Sequence, residues 1–504
     1  MAKAANAGQE FGFIRSKLWP IYQSEFKRFI LMALIMTCML FNYSILRNTK
    51  DTLLVPIVGA EVLGTTKLFA VMPAAIIFMI VYAKLTNILS RKALFCTIVG
   101  TFLGFFMLFG FVIFPQAEAL QIDMTDFIVN YPSLKWPALL VQHWAPVTFY
   151  VSAELWGTVC VSLLFWQFAN ATTNVTESKR FYAGFGMLAN VGLILSGLIA
   201  KMFGAGASFG EEGGGMDKAA LQALSRDTLI GTVRNTMLAV LIAGIVLIIA
   251  YLLVSKLVDT ANVSPDGAAK PKKPKVQLSL SDSFKHIFSS KYLGYIALLV
   301  LCYGISMNLI EVVWKNSIKS IYADANEYYL FMANFQIYLG MASIIMMILG
   351  SNFLRFFGWT TTALMTPGVN MFTGAVFFGF IICKDWFSAS IVGIAAIVIG
   401  TIQNVFAKST KYALFDPTKE MAYIPLDDDL KTKGKAAVEV VGGRAGKAGG
   451  SLIQFVLLLW PGTTIADWTN VLSVLFMITI VIWMIAVVAL GKLFNTITTA
   501  EQTQ

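Results

Sequence analysis

Twelve long apolar runs restrict how this chain can fold more than any other feature of its sequence. They lie at 29–47, 66–85, 92–114, 146–170, 183–203, 231–254, 292–314, 328–350, 360–382, 387–409, 444–460 and 469–492. Each run is long enough to cross the ~30 Å hydrocarbon core of a bilayer as a helix. Only 13% of the residues are charged, about half the share of a soluble domain. We therefore predict an all-α polytopic membrane protein with 12 transmembrane helices.

The runs form two groups of six, separated by a polar segment rich in Pro, Lys and Ser. The sequence FANATTNVTESKRFY after the fourth run also resembles FAKSTKYALFDPTKEMAY after the tenth. A match between these positions is typical of two parallel six-helix repeats. We predict a major-facilitator-like fold with two six-helix halves, 1–255 and 291–504, joined by a cytoplasmic linker at 256–290.

The distribution of basic residues predicts the orientation in the membrane. If the N-terminus is cytoplasmic, about 27 of the 38 Lys and Arg residues fall in cytoplasmic loops and termini, as the positive-inside rule requires. The N-terminal sequence has no apolar core of a signal peptide and no transit extension. We expect a multi-pass protein of a bacterial inner membrane with both termini in the cytoplasm.

The stretch FNYSILRNTKDTLLV places two cations inside an apolar region. Tyr43, Arg47, Lys50 and Leu54 recur at helical spacing and share one face. One interpretation is that the first span ends before Arg47 and both cations reach the outer headgroups. However, LLVPIVGAEVLG resumes the apolar character at once. We therefore predict that the helix continues and that this face lines a wet cavity.

Charged and amide side chains also occur within the fourth and seventh runs. Glu154 is the single charge of the fourth run, and an intramembrane carboxylate is normally paired and functional. Glu311 follows Asn308 by one turn and precedes Lys315 by four residues. Glu311 and Lys315 could simply form a local ion pair. We predict that Glu154, Asn308 and Glu311 line the cavity.

Three lysines near the tenth and eleventh runs complete the candidate site. Asn404, Lys408 and Lys411 line up on one helical face, and Lys447 lies in the small-residue sequence GGRAGKAGG. This sequence lacks the spacing and the hydroxyl of a phosphate-binding P-loop. Positive-inside topology alone could explain Lys447, but we predict that it binds substrate with Lys408 and Lys411.

Cations outnumber carboxylates at these positions, which indicates a polyanionic substrate. Phosphate oxygens form strong charge-assisted bonds with Lys and Arg. The same cations would cost several kcal/mol if left unpaired in a dry cavity. The two halves would therefore move more readily with substrate bound than without it, which favours obligatory exchange. The lone histidines His143 and His286 have no partner at metal-ligand spacing. We predict no cofactor, no metal, no enzymatic activity and no nucleic-acid partner.

Several motifs together resemble one known family. These are YSILRNTKDTLLV, SAELWG, FWQFAN, ESKRFYAGFG, YGISMNLIEVVWK, AKSTKYALFDPTKEMAYIPLDDDLKTKGKAAVEVV and GKAGG. The chain is similar to the ATP/ADP translocases, the nucleotide transporters of obligate intracellular bacteria and plastids. The resemblance implies exchange of host ATP for ADP across the membrane. It also implies that four charged residues are needed for transport: Lys50, Glu154, Glu311 and Lys447.

Two departures from the family pattern leave the substrate and the coupling open. Asn48 replaces a common Asp, and TNVTESK replaces TTVDEAK. A proton-coupled symporter of other nucleoside triphosphates, with Glu154 or Glu311 protonated, is therefore an alternative to the exchanger. A receptor or scaffold whose basic loops bind lipid headgroups is a third hypothesis. We expect the partners to be ATP and ADP, or other nucleotides or phosphate, and the lipid bilayer, and the protein to be a monomer.

Overall fold

The computed structural model describes residues 21–173, 175–204, 218–261, 290–386, 388–426, 435, 438 and 442–503. Most of the predicted linker at 256–290 lies outside the described residues, as does His286. Within the described ranges the secondary structure is helical, without strands. The prediction of an all-α polytopic protein is therefore confirmed, while the division into domains stays a prediction.

The helices follow the predicted runs closely. In the first half of the chain they are α1 Phe26–Leu54, α2 Val62–Ile88, α3 Arg91–Gln116, α4 Trp144–Thr172, α5 Val175–Gly204 and α6 Lys218–Ala261. In the second half they are α7 Lys291–Ile321, α8 Ala325–Gly350, α9 Phe356–Ile382, α10 Ile391–Ala422, α11 Gly443–Leu458 and α12 Thr469–Thr503. Two short helices, Thr125–Asn130 and Lys135–Gln142, lie between α3 and α4.

Eleven of these helices are long and apolar enough to cross a membrane, counted over the described residues. The exception is α11, which occupies the predicted run 444–460 but has only 16 residues. At 1.5 Å per residue its length is about 24 Å, less than the hydrocarbon thickness. The predicted number of twelve spans is therefore not confirmed by length and hydropathy, although a helix lies at each predicted position.

The helical path breaks at Gly358, near the start of α9, where φ is +72°. Glycine adopts this left-handed conformation without a Cβ penalty. The break falls between the predicted runs 328–350 and 360–382. A single helical trace of 58 residues is thereby divided into two spans.

Wide π-helical turns interrupt four of the spans: Lys67–Val71, Phe109–Ile113, Gly157–Phe165 and Lys411–Phe415. Such turns are rare in proteins and frequently occur at functional sites. Two of them begin at a lysine, and the third of the four starts three residues after Glu154. Two of these four π-helical turns therefore begin at a charged residue within a membrane span.

Close packing joins the first six helices to the last six. α5 lies against α8, and a Cβ built on Gly197 would approach the carbonyl oxygen of Ala333 to 2.6 Å. α2 approaches α11, where a Cβ on Gly64 would lie 3.2 Å from the carbonyl oxygen of Ser451. Small residues permit such backbone contacts in membrane proteins. The charged ends of α1 and α7 also meet, where Lys315 pairs with Asp51.

We call the end of the bundle that carries the α1–α2 and α7–α8 loops the distal end, since it lies opposite the start of α1. At this end the backbone N–H of Ile465 donates to the Glu61 carboxylate at 3.4 Å. Glu61 is buried, with 7% of its surface exposed. The distal end of the bundle is thus held by polar contacts between the two groups of helices.

Candidate functional site

α1 carries charged side chains into the centre of the bundle. The helix runs without interruption from Phe26 to Leu54, so it continues through Arg47 and Lys50 as predicted. Lys50 is only 2% exposed, and Arg47 is half-buried. Because protein encloses its ammonium group, Lys50 does not reach the lipid headgroups. The interpretation that the span ends before Arg47 is therefore wrong.

Asp51 is a fully buried carboxylate that joins two lysines. Its Oδ1 lies 2.8 Å from the Nζ of Lys50, and its Oδ2 lies 2.7 Å from the Nζ of Lys315. Lys50 also pairs with Glu154 at 3.2 Å and lies 3.8 Å from the ring centre of Tyr150. Both oxygens of Asp51 therefore accept from an ammonium group, one from α1 and one from α7.

Glu311 of α7 occupies a similar bridging position. Its Oε1 accepts from Arg47 at 2.7 Å and lies 3.3 Å from the Nζ of Lys408 and 3.4 Å from that of Lys315. Three cations from three helices thus converge on one carboxylate oxygen. Ion pairs buried to this degree are costly to break, at about 3–5 kcal/mol when one partner is left uncompensated.

The two sets of ion pairs form one continuous group. We refer to it as the charge cluster, which consists of Arg47, Lys50, Asp51, Glu154, Glu311, Lys315 and Lys408. Its members come from α1 and α4 in the first half of the chain and from α7 and α10 in the second. Because Asp51 and Glu311 each bind cations of both halves, the halves cannot separate here without breaking ion pairs.

Lys67 and Lys447 lie next to this cluster and differ from its members. The Nζ of Lys67 donates to the side-chain oxygen of Asn308 at 2.6 Å. Within the described part of the chain, neither lysine has a carboxylate oxygen within 4.0 Å. The backbone of Lys447 lies against α7, since a Cβ built on Gly304 would be 3.1 Å from its nitrogen. The cluster is therefore extended on the side of α2 and α11 by two cations without a carboxylate partner.

The site as a whole is cationic. The charge cluster and the two neighbouring lysines contain six cations and three carboxylates, which leaves three formal positive charges among the described residues. In the described ranges no group of three His, Cys, Asp or Glu side chains is placed to hold a metal ion. The site can therefore neutralise a polyanion through Lys and Arg side chains.

Lys411 does not join this group, although the sequence places it on the face of Lys408. Its Nζ pairs with Asp416 at 2.7 Å and lies over the rings of Tyr303 and Tyr412. The regular helix ends at Thr410, and a π-helical turn begins at Lys411. The wider turn changes the direction of the side chain, so a face extrapolated from 3.6-residue periodicity fails at this position.

A small recess opens beside Arg47 between α1, α5, α8 and α10. Its wall includes the rings of Tyr43, Phe335 and Tyr412. Gln336 closes one side, where its amide N–H donates to the carbonyl oxygen of Ser44 at 2.7 Å. The recess thus combines aromatic faces with polar groups next to a guanidinium.

Three of these charged residues were not among the predicted site residues: Asp51, Lys67 and Lys315. Asp51 follows Lys50 directly, and neighbouring positions on a helix do not share a face, so spacing alone did not connect them. Lys67 lies at the start of an apolar run, where a lysine is ordinarily read as a boundary. The one available signal was that LRNTKD is too polar for its apolar surroundings.

Solved transport proteins share the fold. A bacterial homologue of the iron transporter ferroportin in an inward-facing state matches with a TM-score of 0.55 at 14% identity, over 93% of this chain and 99% of that one. A D-xylose–proton symporter matches with a TM-score of 0.52 at 12% identity, over 92% and 97%. At such identities the likeness concerns the fold alone. The major-facilitator-like, multi-pass membrane architecture is confirmed.

Sequence relatives cover nearly the whole chain. ADP,ATP carrier protein 1 of Rickettsia typhi is 40% identical over 496 residues, covering 95% of both chains. ADP,ATP carrier protein 1 of Chlamydia pneumoniae is 43% identical over 504 residues, covering 96% of this chain and 94% of that one. The sequence profile of the family described as TLC ATP/ADP transporter matches residues 4–494. This chain belongs to the TLC ATP/ADP transporter family.

Proposed function

We propose that this protein exchanges external ATP for internal ADP by alternating access and that the cavity lysines and arginine bind the nucleotide phosphates. Membership of the TLC family and relatives named ADP,ATP carrier protein support the substrate pair. The proposed substrate-binding residues are those of the sequence prediction, namely Arg47, Lys50, Glu154, Asn308, Glu311, Lys408, Lys411 and Lys447. Asp51 and Lys315 join them as residues that hold the cations.

The position of Asp51 is the observation that carries the mechanism. This carboxylate binds Lys50 of α1 and Lys315 of α7 at 2.8 and 2.7 Å. A phosphate group has the same charge preference and the same oxygen acceptors as a carboxylate. A nucleotide phosphate can therefore take the place of Asp51 between these two lysines.

Competition between resident carboxylates and phosphates accounts for exchange. When the halves rock apart, the pairs Asp51–Lys315 and Arg47–Glu311 must open. Without substrate this leaves buried charges uncompensated, at a cost of about 3–5 kcal/mol. A bound nucleotide replaces the lost partners in both conformations, so the loaded carrier rearranges faster than the empty one.

The recess beside Arg47 is where we place the nucleobase. Tyr43, Phe335 and Tyr412 supply aromatic faces at its wall, and stacking on such faces stabilises a base by about 1–3 kcal/mol. The distance from the recess to the phosphate-binding cations is short, because Arg47 belongs to both. The recess has a volume of about 30 Å³, so it must widen before a base and the phosphates are held at once.

The basic residues support an orientation with both termini in the cytoplasm, and the bacterial relatives support a bacterial inner membrane location. In this orientation the distal end faces outward. Contacts between the halves at this end, including the Asp51–Lys315 pair, then close the external entrance. Major-facilitator-like bundles commonly act as single units, which supports a monomer.

Exchange is favoured here over proton-coupled symport. Glu154 and Glu311, the two candidate proton carriers, both lie in ion pairs, with Lys50 at 3.2 Å and Arg47 at 2.7 Å. A carboxylate held by a cation at this distance serves as a structural counter-ion. When the Arg47–Glu311 pair opens, Glu311 keeps Lys315 and Lys408 at 3.4 and 3.3 Å, so it keeps cationic partners and need not take up a proton.

Transport into proteoliposomes tests this function. Purified protein is reconstituted into vesicles that are either empty or preloaded with ADP, and uptake of labelled ATP is followed at equal pH inside and outside. We expect uptake to require internal ADP. Uptake into empty vesicles driven by a pH gradient would establish the symporter instead. If ATP is not taken up but vesicles preloaded with another nucleotide release it, the protein has a different substrate.

A further inference from the structure

Lys67 stands out among the central cations because its partner is neutral. Arg47, Lys50, Lys315 and Lys408 each have a carboxylate oxygen within 3.4 Å. The Nζ of Lys67 donates instead to the amide oxygen of Asn308, at 2.6 Å. A neutral acceptor compensates an ammonium group much less than a carboxylate does. Lys67 therefore retains its capacity to bind an anion.

The backbone at Lys67 directs this side chain inward. A π-helical turn covers Lys67–Val71, and the following turns of α2 expose Ile76, Ile77 and Ile80 to the surroundings. An exposed apolar face of this kind contacts lipid in a membrane-spanning protein. The wider turn allows Lys67 to point away from that face, toward α7.

Asn308 is itself fixed by its neighbours. Its amide N–H donates to the carbonyl oxygen of Gly304 at 2.9 Å, and its backbone oxygen accepts from the amide of Gln454 at 2.8 Å. A Cβ built on Gly450 would lie 2.6 Å from the Cβ of Asn308. Asn308 thus holds a defined position between α2 and α11.

Lys447 lies on the same face of α11 as these contacts. Residues 447, 450 and 454 follow the i, i+3, i+7 spacing of one helical face, and the last two contact Asn308 directly. Lys447 is exposed in the structure. The backbone nitrogen of Lys447 would lie 3.1 Å from a Cβ built on Gly304, one turn before Asn308. The two lysines therefore approach Asn308 from α2 and from α11.

We infer that Lys67 is a phosphate-binding residue of the transporter and that it forms, with Asn308 and Lys447, a subsite for one phosphate group of the nucleotide. Asn308 holds the Lys67 ammonium in place through its uncharged amide oxygen. A phosphate supplies an anionic oxygen in place of this neutral acceptor, which attracts the ammonium group more strongly. This inference rests on the proposed function, because it assumes that the guest is a nucleotide.

Affinity measurements on purified full-length protein test the assignment. Binding of ATP and of adenosine, which has no phosphate, is measured for the wild type and for Lys67→Gln, Lys67→Arg and Lys84→Gln. Lys84 lies on the same helix and is exposed, so Lys84→Gln is the matched control. We expect Lys67→Gln to weaken ATP binding about tenfold, equal to about 1.4 kcal/mol, and to leave adenosine binding unchanged.

A second variant tests the role of Asn308. Asn308→Asp supplies a carboxylate that pairs with Lys67 and competes with phosphate, so ATP binding should weaken several-fold. In a Lys67→Gln background this additional weakening should disappear, because the competing pair no longer forms. The Lys67→Arg variant keeps the charge and should bind ATP within about threefold of the wild type.

The outcomes separate this inference from the proposed function. If the wild type binds ATP while Lys67→Gln binds it equally well, Lys67 is not a phosphate ligand, although the transporter assignment stands. Equal weakening of ATP and adenosine binding by Lys67→Gln also overturns the inference, since it indicates a structural role. If the wild type does not bind ATP at all, the proposed function itself fails.

Discussion

Replacing Asp51 with Asn is expected to open the distal end of the protein. Asn has nearly the same shape as Asp but lacks the charge that joins Lys50 to Lys315. The two lysines keep one carboxylate each, Glu154 at 3.2 Å and Glu311 at 3.4 Å. The loss is therefore taken at the lower end of the range for a broken buried ion pair, about 3 kcal/mol.

The predicted change in conformational equilibrium follows from this energy. Because Asp51 bridges α1 and α7 only while the distal end is closed, its charge stabilises the closed state. About 3 kcal/mol corresponds to a shift of roughly 100-fold in the ratio of closed to open protein. A closed state that is nearly fully populated in the wild type should then coexist with the open state in the variant.

Distances between spin labels measure this shift. The labels are placed at Ile57 and Ala323, both exposed and located in the two distal loops, after replacement of the native cysteines. In Asp51→Asn we expect a longer distance to appear beside the short one. Asp126→Asn, which removes an exposed carboxylate from another distal loop, is the control and should keep the wild-type distribution. An unchanged distribution in Asp51→Asn would refute the bridging role.

Three further outcomes follow from the geometry. Glu311→Gln removes the shared partner of three cations, so it should lower ATP/ADP exchange more than tenfold and also lower the midpoint of thermal unfolding. Exchange near the wild-type rate would contradict the role of Glu311. Lys408→Gln should impair exchange more than Lys411→Gln, because Lys411 pairs locally with Asp416, and equal effects in the same uptake assay would contradict this order. Gly197→Val should lower the midpoint of thermal unfolding by several degrees, because a Cβ at this position would lie 2.6 Å from the neighbouring helix. An unchanged midpoint would show that the two helices can move apart to accommodate the side chain.

The course of α1 was predictable from its sequence, whereas the partners of its charges were not. The apolar character resumes directly after Lys50, so a helix continuing through Arg47 was the simplest way to avoid an unpaired backbone. The pairing of Asp51 with Lys315 joins residues 264 positions apart. Helical spacing describes neighbours on one helix, and it contains no information about which helix packs opposite.

Local departures from regular helix geometry account for the remaining differences between the predicted and the observed site. Lys411 was predicted to share the face of Lys408, and a π-helical turn moves it to Asp416 instead. The same type of turn begins at Lys67, which the sequence presented as the boundary of an apolar run. In both cases the backbone geometry changes at the charged residue, whereas a prediction from helical periodicity assumes a regular helix throughout.

A density map of the protein with bound ATP tests most directly whether phosphates replace resident carboxylates between the two halves. The account predicts phosphate oxygens within hydrogen-bond distance of Lys50 and Lys67, together with a longer separation between Asp51 and Lys315. Phosphates bound outside the bundle centre, with the Asp51–Lys315 distance unchanged at 2.7 Å, would contradict it.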